Sequence, residues 1–458
     1  MKNSMKNIFR KTSLMFALAI ALIAIGNSQS FAATLVVDPD LTMCATAQFG
    51  PFQTIQGALS AAQPGDTIFV CPNLASFNPN TPEPYIGPIL IQIANLTIIG
   101  VASTLDGDSR VLIANASTVI GTAPAGGSSA TAESRGIVTL DATGITFGNF
   151  TVDGDFFGAN TSTTAFNGVV ATDDAAGSTI FNTSVLDITN ATAAENPAAV
   201  PPVAFSNNGN GILVEGGSTA TGQGVSVLNN VVSNFRSTGI VVGEVFSGTA
   251  SAGTARGIVR GNYVLGNNAS TTTQGNRAQR GIAFDNGTAG AAGNTTGDIF
   301  NNRVAEIFDN SCNGFADRCG AIALNQINGG VTTRFNVLTA NVAGIVGTNV
   351  SNLTINNNQI FGRGNGILTA EGTFGIIVAG SDNNNGSNFN TIQFNTITFN
   401  VVGVLVGLGT DTSTGNNVIN NTIQDAFIGI LNIGVSTNSG TGLTANTFIQ
   451  VDNFRLNF

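Results

Sequence analysis

NVLTANVAGI (336–345), NQIFGRGNGI (358–367), NTITFNVVGV (395–404) and NTIQDAFIGI (421–430) are one phrase written four times, with different lengths of chain between. An Asn opens it, an aliphatic residue follows two positions later (Leu338, Ile360, Ile397, Ile423), and a Gly-aliphatic pair closes it (Gly344-Ile345, Gly366-Ile367, Gly403-Val404, Gly429-Ile430). Constant inner spacing between variable insertions is the pattern of a coil of short strands, because strand and turn geometry are fixed while outward loops are free. Asn tolerates the left-handed backbone region and so does Gly, so both read as corners. Between corners the residues alternate with strand period, as in Thr396-Ile397-Thr398-Phe399 and Val404-Leu405-Val406-Gly407. Strands this short are stable only when coil stacks on coil, pairing in parallel and burying Ile, Val, Leu and Phe inward. The Asn runs, Asn356 to Asn358 and Asn420-Asn421, read as ladders of amide hydrogen bonds along that stack.

Working outward, the same rhythm occurs at Asn230-Val231-Val232 with Gly239-Ile240, and at Asn262-Tyr263-Val264 with Gly281-Ile282. Thr122 to Ala132 and Ala191 to Pro202 read as outward loops, as do Gly266 to Gln279 and Asn383 to Asn388. Upstream, Pro51 to Val70 reads PFQTIQGALSAAQPGDTIFV. Phe52, Ile55, Leu59 and Ala62 recur at helix spacing with Pro51 in the first turn, which predicts an amphipathic helix over about 51–63. Pro64-Gly65-Asp66 then turns the chain into a strand, Thr67 to Val70. An apolar-faced helix ahead of a strand coil is a plug for the first coil's core and edge.

This phrase, with Ile89 to Ile93 and Leu96-Thr97-Ile98-Ile99-Gly100 after it, resembles the amino-terminal cap and first coil of the pectin lyase-like superfamily, and the N-x-I and G-I phrases are similar to its repeats. The resemblance implies an all-β fold: a single-stranded right-handed parallel β-helix with an N-terminal capping helix and repeats over about 67–458. For function it implies lyases, hydrolases, esterases and epimerases of acidic polysaccharides, and equally adhesins and spikes without catalysis.

The first residues carry an address. Lys2, Lys6, Arg10 and Lys11 precede an apolar run from Leu14 to Ile25, and Ser30-Phe31-Ala32 presents small residues to a signal peptidase, so residues 1–32 read as a signal peptide and 33–458 as one domain. Leu14 to Ile25 is short for a membrane span, which points to a secreted, extracellular or cell-surface protein without a membrane anchor. The composition fits: 57 Gly, 42% hydrophobic and 9% charged residues describe strands and turns rather than disorder. Loss of the four basic signal residues takes the net charge from −10 to −14, which disfavours nucleic acid and anionic membranes as partners. Four Cys, Cys44, Cys71, Cys312 and Cys319, allow three pairings; the two local pairs, in an oxidising compartment, are the expectation.

The chemistry is sparse. Beyond the signal the chain has no His, Lys or Trp, so no Ser-His-Asp triad, His metal cluster or Lys base exists. That departs from the His-containing polygalacturonase and epimerase patterns of the superfamily, and the methylesterase phrases are absent too. Asp153 and Asp155 precede Asp173 and Asp174 by 20 and 19 residues, which reads as one coil with all four carboxylates on one edge, a candidate calcium site. Arg256, Arg260, Arg277 and Arg280 form the basic group, with Arg256 and Arg280 as candidate proton acceptors for elimination. The plainer reading makes these turn acids and solvated charges. The 30 Phe predict aromatic stacks inside the coil. The expectation is a non-catalytic structural or glycan-binding protein, with polysaccharide or copies of itself as partner; the alternative is a calcium-dependent lyase of pectate-like polysaccharide.

Overall fold

A computed structural model of the chain describes residues 32–39, 51–72, 84–101, 111–114, 136–154, 167–188, 209–215, 224–235, 237–243, 255–266, 280–286, 295–307, 320–362, 373–380, 386–407, 413–433 and 445–457. The signal segment, Cys44, Cys312, Cys319, Asp155 and Arg277 lie outside these residues.

The strands fall on three faces. The first is a 12-stranded sheet that starts at Thr34–Val37 and Thr67–Val70 and ends at Asn417–Ile419. A 22-stranded sheet supplies the other two. Its pairings separate a second face, which includes Ser184–Ile188, Val231–Phe235, Tyr263–Leu265 and Arg303–Ala305. They likewise define a third, which includes Gly136–Leu140, Asn167–Ala171, Ile212–Val214, Thr238–Gly243 and Arg280–Asp285. The two faces join in the long strands Thr422–Asn432 and Thr447–Asn457, which cross both. Each pairing is parallel, and the chain visits first, second and third face in turn before beginning again. The chain from Thr34 on is a parallel β-helix.

Register explains the alternation in the sequence. On the first face Ile68, Ile98, Phe147, Ile180, Val227, Val259 and Ile299 stack in successive coils, all fully buried. On the second, Val185, Val232, Val264, Val304, Leu338, Ile360, Ile397 and Ile423 do the same. Each such side chain contributes about 1.5–3 kcal/mol by leaving water, so the columns are the main source of stability.

The amino-terminal plug is shorter than predicted. The helix is Ile55–Ala61, begun by Thr54, whose Oγ1 accepts a hydrogen bond from the Gly57 N–H at 3.0 Å. Pro51 does not open it, because Phe52 is held in an extended bridge to Val37. Ile55 and Ala58 are buried in the same core as Val37, Ile68 and Ile89, with Leu59 packed against it. Cys71 is fully buried and disulfide-bonded, and its carbonyl accepts from the Tyr85 hydroxyl at 2.8 Å.

The repeated phrase works differently from the expectation in three respects. The left-handed residue is the one before the Asn: Phe335, Asn357, Phe394 and Asn420 have φ between 53° and 56°. The phrase Asn points inward instead, and Asn230, Asn262, Asn302, Asn336, Asn358, Asn395, Asn421 and Asn446 form the ladder, each giving its side-chain amide to the next Oδ1. The phrase Gly is a matter of room: a Cβ on Gly403 would lie 2.6 Å from the Gly429 oxygen and 2.7 Å from Ile423 Cγ2. In the second coil of the series the register assigns this role to Gly375-Ile376 of Phe374–Ala379, not to Gly366-Ile367, which lies outside the described residues. The phenylalanines divide. Phe147 and Phe150 stack at 4.5 Å in the interior, whereas Phe335, Phe389, Phe394 and Phe399 are exposed on corners.

Candidate functional site

Where the third face turns toward the first, register brings acids of successive coils together. The strands Gly136–Leu140, Asn167–Ala171 and Ile212–Val214 pair so that Leu140, Ala171 and Val214 are neighbours, and the next residues, Asp141, Thr172 and Glu215, therefore stack on one corner. Asp173 and Asp174 follow Thr172 in a tight turn closed by the Ala175 N–H to the Thr172 oxygen. Asp141 is buried and held from both sides, its Oδ2 accepting from Gln92 Nε2 at 2.9 Å and its Oδ1 from Thr172 Oγ1 at 2.7 Å. Two such bonds fix the carboxylate in place, with both of its oxygens acting as acceptors. Glu215 is the opposite case: burial first, then the charges of Asp173 and Asp141, push its carboxyl up to about 8. At neutral pH the corner thus contains a protonated carboxyl beside acceptor oxygens. It can donate a hydrogen bond or a proton at Glu215 and accept from hydroxyls at Asp141. The column continues to Asp285, which accepts from Asn325 Nδ2 at 2.6 Å, both buried.

Of the four-Asp edge expected from the sequence, the three described acids, Asp153, Asp173 and Asp174, do not share one corner. Asp153 ends the second-face strand Phe150–Asp153 and pairs with Ala114 and Leu186. Asp173 and Asp174 stand a whole third-face strand further along the chain, at another corner. The reason is the length of the coil, which here takes 31 to 33 residues rather than 20. Among the described residues, no group of three or more His, Cys, Asp or Glu is arranged to hold a metal ion. Of the arginines, Arg256, itself exposed, opens the first-face strand Arg256–Arg260, on the acid corner's side and one coil beyond Glu215. Arg280 is buried at the start of Arg280–Asp285, the far end of its strand from that corner.

Sequence reasoning missed Asp141 and Glu215. For Glu215 the signal was present: it is four residues after Gly211, as Asp285 is after Gly281, so an acid at that offset from the Gly-aliphatic phrase marks this corner; Asp141 stands five after Gly136 and escapes it.

No family model matches the chain, and no curated protein does. Among solved structures it is similar to the Dettilon tailspike protein, at 14% identity and a TM-score of 0.44 over 87% of this chain and 63% of that one. The lacto-N-biosidase of Eubacterium ramulus is similar at 11% identity and a TM-score of 0.44, over 92% of this chain and 68% of that one. DFA-IIIase from Arthrobacter chlorophenolicus A6 is similar at 12% identity and a TM-score of 0.40, over 92% of each chain. The chain spans less than two thirds of the tailspike's length. These are likenesses of fold and assign no activity.

Proposed function

We propose that this protein is exported and binds an uncharged glycan at the acid corner, with Asp141 as acceptor and Glu215 as donor toward sugar hydroxyls. The observation that carries the reading is the pairing of unlike carboxyls, a hydrogen-bonded Asp141 and a proton-bearing Glu215, in adjoining coils of one corner. Such a pair suits ligands that both give and accept hydrogen bonds, and it repels a uronate. A right-handed coil is inferred with it, since parallel crossovers are overwhelmingly of that hand. Titration of neutral oligosaccharides at pH 6 tests the reading: binding is expected, and Asp141→Ala and Glu215→Ala abolish it. No binding of neutral oligosaccharides, or binding that both variants leave unchanged, overturns it.

The elimination alternative rests on Arg256, which shares the side of the acid corner. An arginine is a poor base unless its surroundings strongly favour the neutral form, so no activity is expected. Absorbance of unsaturated uronates, followed on pectate and alginate with calcium, decides it. A rise that is lost in Asp174→Ala establishes a lyase.

A further inference from the structure

The edge between the first and second faces carries a different chemistry. Arg260, Phe300 and Arg334 are register partners in three successive coils of the first face. The Arg260 guanidinium carbon lies 4.9 Å from the Phe300 ring centroid, and that of Arg334 lies 5.2 Å from it. Just past the turn, on the second face, Arg303 is the register partner of Tyr263 and holds its guanidinium carbon 5.5 Å from that ring. Three guanidinium groups thus line one edge within three coils, in a chain of net charge −10. Among the described residues only Arg334 of the three is ion-paired, with Asp298 at 3.9 Å, and its Nε–H has no acceptor there. Arg260 and Arg303 are exposed.

The rings determine the spacing. A planar guanidinium stacked on an aromatic face is restrained in orientation while its N–H edge stays free for oxyanions. Phe300 holds Arg260 and Arg334 in the coils before and after it, two coil rises or about 9.6 Å apart along the axis. Arg303, in the Phe300 coil, falls between them around the turn. That arrangement matches acidic groups recurring along an extended chain, and pre-organised arginines lose little freedom on contact.

We propose that this edge is a second binding surface, for a linear polyanion whose carboxylate or sulfate groups dock on Arg260, Arg303 and Arg334. It is separate from the acid corner and opposite to it in charge, so anionic and uncharged chains are taken at different edges and in different coils of the β-helix. The test is retention of the full chain on immobilised polygalacturonate and on dextran sulfate, with plain dextran as the uncharged control. Binding to at least one polyanion at low salt is expected, weakening as salt rises. About tenfold loss is expected in Arg260→Gln/Arg334→Gln and in Arg303→Gln. Phe300→Leu retains every charge and frees both guanidinium groups, so a loss of severalfold is expected. If it does not fold, the arginine variants, altered on the surface, still decide. No retention on either polyanion, or arginine variants retained as well as the parent, overturns the proposal. The carboxylate and sulfate arms identify the acidic group, and because the probe is anionic the outcome does not depend on what binds at the acid corner.

Discussion

Asn336 gives both its backbone N–H and its side-chain amide to a single oxygen, Oδ1 of Asn358, at 3.1 and 2.9 Å. The same amide also reaches the Ile299 oxygen of the preceding coil at 2.9 Å, and Asn336 is fully buried. Its own Oδ1 in turn receives both donors of Asn302.

Truncating this rung leaves donors and acceptors on both sides unmet in a site water does not reach. Asn336→Ala is expected to cost about 3 kcal/mol or more. Denaturant unfolding measures it, and a loss below about 1 kcal/mol would show that the ladder is dispensable.

Gly403→Ala places a methyl where the Gly429 carbonyl and Ile423 already stand. The coils must part locally, and a destabilisation of about 2–4 kcal/mol is expected. An unchanged melting temperature would refute the close-approach account of the Gly-aliphatic phrase.

Thr333 occupies the first-face column between Ile299 and Ile355, fully buried, and its Oγ1 has no hydrogen-bond partner. Thr333→Val keeps the shape and removes the stranded hydroxyl, so a gain of about 1 kcal/mol is expected. A loss of stability would mean that the hydroxyl is satisfied in solution.

Glu215 makes stability depend on pH. Its carboxyl titrates near 4.5 in an unfolded chain and about 8 in the fold. Between those values the unfolded chain releases a proton that the fold retains, so this contribution is complete below 4.5 and declines as pH rises through about 8. Glu215→Gln is neutral at every pH. Relative to the parent it is expected to gain melting temperature between pH 5 and pH 8 and to gain nothing further above that, as a series of thermal melts at fixed salt will show.

Much of the architecture was legible because the columns write themselves into the chain: Ile360, Ile397 and Ile423 recur at one offset from Asn358, Asn395 and Asn421, and each is buried where that offset requires. What the phrase does at each position was harder to read. Phe394 occupies a left-handed corner that Asn357 and Asn420 fill in the neighbouring coils, so composition points to the wrong residue as the corner. Gly403 looks like a turn glycine, and only contact with Gly429, remote in sequence, reveals its role. The acid corner was hidden for a related reason. Thr172 meets Asp141 across 31 residues, and the short separation between Asp153 and Asp173 suggested a neighbourly relation that the register denies.

The ladder has a polarity: each amide donates forward to the next coil and receives from the one behind. Because every rung presents the same oxygen to the same two donors, Asn358 would find in Asn421 the acceptor it now has in Asn395 if the 26 residues from Asn395 to Asn420 were excised. The inward Ile and the Gly of the closing phrase recur at the same offsets, so the cut ends also match in core and in clearance. A gene encoding such a chain can gain or lose whole turns without disturbing the remainder, and its length becomes a heritable variable, set by whatever distance the molecule has to span.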